Sequence, residues 1–184
     1  AIVSNKLGDL RREAMQGSDA MTKFTSTMEF AGKSEQEINK ARTMVKKYAD
    51  ETVYDIETIA NTTAQLSANG VEGYDKLVQA AGNLNSVAGG SKETFGSVAM
   101  VMTQTAGAGK LTTENWNQLA DAVPGASGLL QDAMSEAGAY TGNFREAMEK
   151  GQITAGEFND AIMKLGFEEK AVEAAKSAET FEGM

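Results

Sequence analysis

One phrase occurs twice in this chain, 42 residues apart, and it limits the local structures available more than any other feature. Residues 109–123 read Gly-Lys-Leu-Thr-Thr-Glu-Asn-Trp-Asn-Gln-Leu-Ala-Asp-Ala-Val, and residues 151–165 read Gly-Gln-Ile-Thr-Ala-Gly-Glu-Phe-Asn-Asp-Ala-Ile-Met-Lys-Leu. Thr112 and Thr154 are suited to helix N-caps, because a hydroxyl oxygen accepts a bond from an amide that the first turn leaves unpaired. Glu157, three residues beyond Thr154, completes a capping box, and Leu111 and Ile153 stand where an apolar residue staples onto Trp116 and Phe158. Beyond the caps, Trp116, Leu119, Ala120 and Val123 fall at helical spacing on one face, as do Phe158, Ala161, Ile162 and Leu165. Gly109 and Gly151 sit where a preceding helix ends and a left-handed residue is needed. Each phrase therefore predicts a helix–turn–helix hairpin with one apolar stripe to bury.

The rest of the chain agrees with that grammar. Its 184 residues hold 19 glycines, a single proline and few aromatic residues, enough length for a sizeable core in one domain or two small ones. The expected fold class is all-α: a compact multi-helix domain of capped helical hairpins, with about nine helices and no sheet. The pattern is weak over residues 1–30, interrupted near Gly17, and partial disorder is expected there. Ser34 and Glu37 form a capping box that opens a helix to Tyr48, with Ile38, Ala41, Val45 and Tyr48 on one face. Asp55 is the expected cap of the next helix, which turns Ile56, Ile59, Ala60, Thr63 and Leu66 inward and closes at Asn69-Gly70.

A short helix follows from Gly73 to Val87. Ala88-Gly89-Gly90-Ser91 reads as a flexible loop and the best internal boundary. The division expected is an N-terminal helical segment 1–30, a subdomain 31–90, and a subdomain 91–184 carrying both phrases. Phe95, Val98, Ala99 and Met102 make the next stripe, ending at Gly107. Pro124-Gly125 breaks the chain, Asn143 and Glu146 box a short helix, and a charged helix runs from about 167 to 180. The chain begins with Ala and stops at Met184 without an obvious terminus, so an excised piece of a longer protein is expected.

Composition excludes much chemistry. There is no histidine and no cysteine, which removes the usual zinc sites, the Ser-His-Asp and Cys-His arrangements and the commonest general base. Redox compartment is left open. Glu136, Glu146, Glu149 and Glu157 are the carboxylates to weigh for sugar hydrolysis, and solvated helix faces or caps explain all four. No catalytic, cofactor or metal residue is assigned. Gly107-Ala108-Gly109-Lys110 imitates the end of a phosphate-binding loop, but Gln104 and Leu111 stand where glycine and a hydroxyl residue are required. Gly151 to Phe158 imitates half of a calcium loop, but Met148 and Lys150 would occupy ligand positions. Asn61-Thr62-Thr63 is a glycosylation sequon placed mid-helix.

Net charge is −9. Residues 1–50 carry 9 basic and 7 acidic groups, and residues 51–184 carry 8 and 19. That acidic bulk argues against sequence-independent DNA binding, which needs phosphate neutralisation, and no specific nucleic-acid binding is expected of this piece. Lys40, Arg42, Lys46 and Lys47 read as one solvated helix face. No run reaches the length of a membrane span.

From Ala31 onward the chain resembles the helical region of bacteriophage tail tape measure proteins. The residues that carry the resemblance are Tyr48-Ala49-Asp50-Glu51-Thr52-Val53-Tyr54, Leu66 to Val71, Thr103 through the first phrase to Ala126, and Gly142 through the second to Ile162. The resemblance implies a virion or prophage structural protein, of which several copies run inside the tail tube during assembly. It implies that the protein sets tail length and leaves the tube when DNA is ejected. The implied partners are tail tube and tail assembly chaperone proteins, with self-association a further expectation, and the implied locations are the virion tail and the host cytoplasm during assembly. It offers no catalytic or cofactor residues.

Physics qualifies the role of this piece. As one helix, 184 residues would span roughly 280 Å. Caps and glycine stops recur every fifteen or so residues and sustained heptads are absent, so a compact docking domain is expected rather than the measuring rod. The competing reading is a stand-alone helical adaptor whose apolar grooves bind partner helices.

Overall fold

The structure, a computed structural model, describes residues 19–183, with side-chain surroundings as far as residue 177. The readings made for residues 1–18 lie outside the described residues. A helix, α1, covers 19–30. It is followed by α2 (Glu35–Glu51), α3 (Ile56–Ala68), α4 (Tyr74–Val87), α5 (Lys92–Ala108), α6 (Thr113–Ala122), α7 (Pro124–Glu136), α8 (Phe144–Glu149), α9 (Ala155–Gly166) and α10 (Glu169–Gly183). Among the described residues there is no strand, and one isolated antiparallel bridge joins Lys110 to Thr154. The molecule is all-α.

Short polar caps set the helix boundaries. Ser34, Ser91, Thr112, Asn143 and Thr154 each accept a bond from the amide three residues on. Ser91 pairs with Thr94, and Thr154 with Glu157, as reciprocal boxes. Ser34–Glu37 and Asn143–Glu146 show only the forward bond. Glu37 and Glu146 are exposed, where water replaces the return bond without freezing a long side chain. Asp55 stands at the cap of α3 but makes no side-chain bond there. Two ends also move: α2 runs a turn past Tyr48 to Glu51, and α5 passes Gly107 to stop at Gly109, whose φ is 77°. Val123 closes α6 and opens α7, with Pro124 in the first turn, where its missing N–H is harmless.

The stripes read from sequence face a common core. Ile38, Ala41, Val45 and Tyr48 of α2 are buried, as are Phe95, Val98, Ala99 and Met102 of α5. Helix α4 lies at the centre, packing most extensively on α9 and α10 and also on α3 and α5. Small residues allow this: a Cβ built on Gly166 would collide with the backbone of Ala80, and one built on Gly82 would collide with the Tyr48 hydroxyl. The loop 88–91, read as a flexible joint, is cross-tied. Gly90 N–H donates to Asn85 O (2.8 Å), Asn85 Nδ2 to Ser91 O (2.8 Å) and Thr94 Oγ1 to Asn85 Oδ1 (2.7 Å). Gly125 of α7 lies against the Ala88 carbonyl.

Candidate functional site

The two repeated phrases meet. Leu111 N–H donates to Ile153 O (2.9 Å) and Ala155 N–H donates to Gly109 O (3.1 Å), which brackets the Lys110–Thr154 bridge. Leu111 and Ile153, equivalent positions in the two phrases, stand opposite one another, and both are fully buried. Gly151, at φ 67°, lies under the Lys110 stem, whose Cδ is 3.2 Å from where a Cβ would stand. Next to this brace, Trp116 of α6 meets Phe144 of α8 edge-on at 4.7 Å between ring centroids, and Tyr140 tilts onto Phe144 at 5.1 Å. The expected staple residues Trp116 and Phe158 share this core.

Both motif look-alikes run into this brace. Gly107 and Ala108 are still helical, and Gly109 N–H is committed to Thr105 O. Of the positions that would ligate calcium, Met148 is buried while Glu146 and Lys150 point to solvent. The carboxylates weighed for catalysis have separate surroundings. Glu136 is 3.3 Å from Lys164, Glu157 caps α9, and Glu146 and Glu149 are exposed. Among the described residues no cluster of three or more acidic, histidine or cysteine side chains forms a metal-binding arrangement.

A buried polar network ties α2, α4 and α9 together. Tyr48 Oη donates to Asn83 Oδ1 (2.7 Å), and Asn83 Nδ2 donates to Gly166 O (2.9 Å). Tyr54 Oη donates to Gly82 O (2.7 Å), accepts from Asn85 Nδ2 (2.9 Å) and meets Ser86 Oγ at 2.5 Å. Burial pushes both tyrosine hydroxyls above their ordinary pKa; Tyr54 and Glu51 add to the shift at Tyr48. Sequence reading missed this network. Its signal was Asn83 and Asn85 on either side of Leu84, next to the apolar Val78, Ala80 and Ala81 of the same helix, since a polar residue on a buried face needs a partner.

Two surface features complete the inventory. A groove of about 780 Å³ opens between α1, α3 and α5, with Ala20, Phe24, Ala64, Ala99 and Met100 among its walls, and Met100 is 44% exposed. On α2, Lys40, Lys46 and Lys47 are exposed, while Arg42 is half-buried and donates to Thr25 Oγ1 (2.6 Å), bracing α1. The expected solvated basic face therefore holds for the lysines, and Arg42 departs from it. Among the described residues no helix is long and apolar enough to cross a membrane.

Residues 12–184 match the family model described as "Tape measure protein". The chain is 27% identical over 170 residues to the "Tape measure protein" of Lactococcus phage F4-1, an alignment covering 88% of this chain and 45% of that protein. It is 27% identical over 169 residues to the "Probable tape measure protein" of Lactococcus phage p2, covering 89% of this chain and 17% of that protein. The same figures hold for the relative from Lactococcus phage SK1. This chain thus spans less than half the length of these curated relatives. No solved structure matches it.

Proposed function

This chain belongs to the tape measure protein family, and from that premise we propose that it acts in phage tail assembly and tail-length determination as a compact docking domain rather than as the measuring rod. The observation that carries this reading is the way the helices end. The longest helices among the described residues, α2 and α5, have 17 residues, about 26 Å each at the helical rise. Each ends at a cap or a left-handed glycine, and the stripes between bury one another. A rod needs long helices with a continuous seam; short capped helices around one core make a body with a surface.

The partners in this reading are tail tube and tail assembly chaperone proteins, met in the host cytoplasm during assembly, and the destination is the virion tail. The role is structural, without catalysis. The test is tail length by electron microscopy in phage whose tape measure protein lacks residues 31–184. Loss of tails, or tails of uncontrolled length, is the expected outcome. Tails of uniform length, shortened by about 230 Å at 1.5 Å per residue, would make this region part of the ruler and overturn the reading.

A further inference from the structure

The corner where α3 ends carries chemistry that a structural role leaves unused. Asn69 is the one asparagine in the sequence followed by glycine, and Asn69 and Gly70 are both exposed to solvent. We propose that Asn69–Gly70 is a site of self-modification. The Gly70 backbone nitrogen attacks Asn69 Cγ, forming the new C–N bond of a five-membered succinimide, and the side-chain amide leaves as ammonia. Water then adds to one of the two ring carbonyls and breaks its bond to the shared nitrogen, giving aspartate or isoaspartate. The net reaction consumes one water and releases one ammonia. Glycine at position 70 matters because no Cβ obstructs the approach.

The fold gates this reaction. Gly70 N–H donates to Ser67 O (3.0 Å), and Val71 N–H donates to Leu66 O (3.1 Å), closing the helix over a left-handed Gly70 at φ 75°. Asn69 Nδ2 is itself held by Gln65 O (2.9 Å). An amide nitrogen becomes a nucleophile only as it gives up its proton, so the bond to Ser67 must open first, and the rate rises with hydroxide. Helix ends open far more readily than the global fold.

The product is disfavoured where it forms. Asn69 Oδ1 is 3.7 Å from where a Cβ on Gly107 would stand, and Gly107 lies in the last turn of α5. The C-terminal ends of α3 and α5 therefore converge on this side chain. A carboxylate there meets the negative ends of two helix dipoles. Isoaspartate also routes the backbone through one extra atom, which displaces the Leu66–Val71 bond. Conversion is thus a one-way loosening of the α3–α4 corner and of the α3–α5 contact.

The test is peptide mapping of the full chain aged in mildly alkaline buffer, with isoaspartate detected by enzymatic methylation. The expected result is amide-to-acid conversion concentrated at Asn69, faster at higher pH, and roughly tenfold or more slower in the folded chain than in urea. Asn69→Gln should abolish the signal while keeping the fold, and Asn69→Asp should lower the unfolding midpoint. No conversion at Asn69 in the folded chain, under conditions that convert the unfolded chain, would overturn the site. Equal rates folded and unfolded would overturn the gate.

Discussion

Helices α6 and α9 begin with the same signature and end in different company. Both start from a left-handed glycine, a buried aliphatic residue and a threonine cap. Helix α6 then packs on α5, α7 and α8 toward one side of the molecule, whereas α9 packs on α4, α5, α7 and α10. The 42-residue shift that aligns the phrases places Pro124 opposite Gly166. Proline forces a new helix to start, so α6 stops and the chain turns away. Glycine instead lets the end of α9 press onto the Ala80 backbone and receive the bond from Asn83. A shared local signature sets local structure; the residue after it sets tertiary rank.

The largest effect expected from that difference is in the aromatic anchors. Phe158 is fully buried under α9, while Trp116 keeps slight exposure beside α8. Phe158→Ala should cost about 5 kcal/mol and Trp116→Ala about 3 kcal/mol, measured by urea unfolding. Equal losses would mean that the two hairpins carry the core alike. Next comes the diverging position itself. Gly166→Ala drives a Cβ into the Ala80 backbone, which no rotamer change relieves, so a loss of roughly 3 kcal/mol is expected. Pro124→Ala should change stability by about 1 kcal/mol or less. A silent Gly166→Ala would show that α9 does not depend on close approach to α4.

The contrast between these positions also shows what was legible in the chain. The caps at Thr112 and Thr154, the stops at Gly109 and Gly151 and the stripes of α2 and α5 depend on residues within one or two turns, and spacing alone exposes them. The Leu111–Ile153 pairing depends on two loops meeting across 42 residues, which periodicity does not encode. Gly166 reads locally as an ordinary helix end; only the nearness of Ala80 gives it its role. Arg42 was misread for the same reason, because its partner Thr25 lies on another helix. The family resemblance rested on Tyr48–Tyr54, Leu66–Val71 and the strings around the two phrases, and the family match covers them all.

A further test acts through the polar network, which reaches α9 but includes no residue of α6. Tyr48 shares its hydroxyl proton between Asn83 Oδ1 (2.7 Å), in the network that ends on Gly166 O, and Gln79 O (3.1 Å). Desolvation holds Tyr48 protonated in the fold, above its ordinary value of 10.0. The folded state therefore binds the proton more tightly than the unfolded state. Its contribution is complete below the unfolded value and is lost as pH rises through that value toward the folded one. Unfolding midpoints should fall above about pH 10, and Tyr48→Phe, at a loss of about 1 kcal/mol at neutral pH, should flatten that fall. Trp116 is the single tryptophan and reports on α6. If the network serves α9 specifically, helix content drops before Trp116 fluorescence shifts; simultaneous change would erase the distinction.

The smallest expected difference lies in the caps, where the two phrases are most alike. Thr112 accepts one bond, from Asn115 N–H at 3.2 Å. Thr154 accepts from Glu157 N–H at 3.1 Å, and its own N–H donates to Glu157 Oε1 at 3.0 Å. Thr112→Ala should therefore cost about 1 kcal/mol and Thr154→Ala about 1.5 kcal/mol, because the second change also frees the glutamate that orders the box. Glu157→Gln keeps an acceptor at that place and should restore most of what Glu157→Ala loses. The residue left over is the attraction of a carboxylate for the helix N-terminus, a few tenths of a kcal/mol that added salt removes. If Thr112→Ala proves the costlier of the two, the loop-to-loop pairing, which Thr154 also joins, holds α9 in place without its cap. The order of the two caps thus tells whether α9 is anchored by its first turn or by its neighbours.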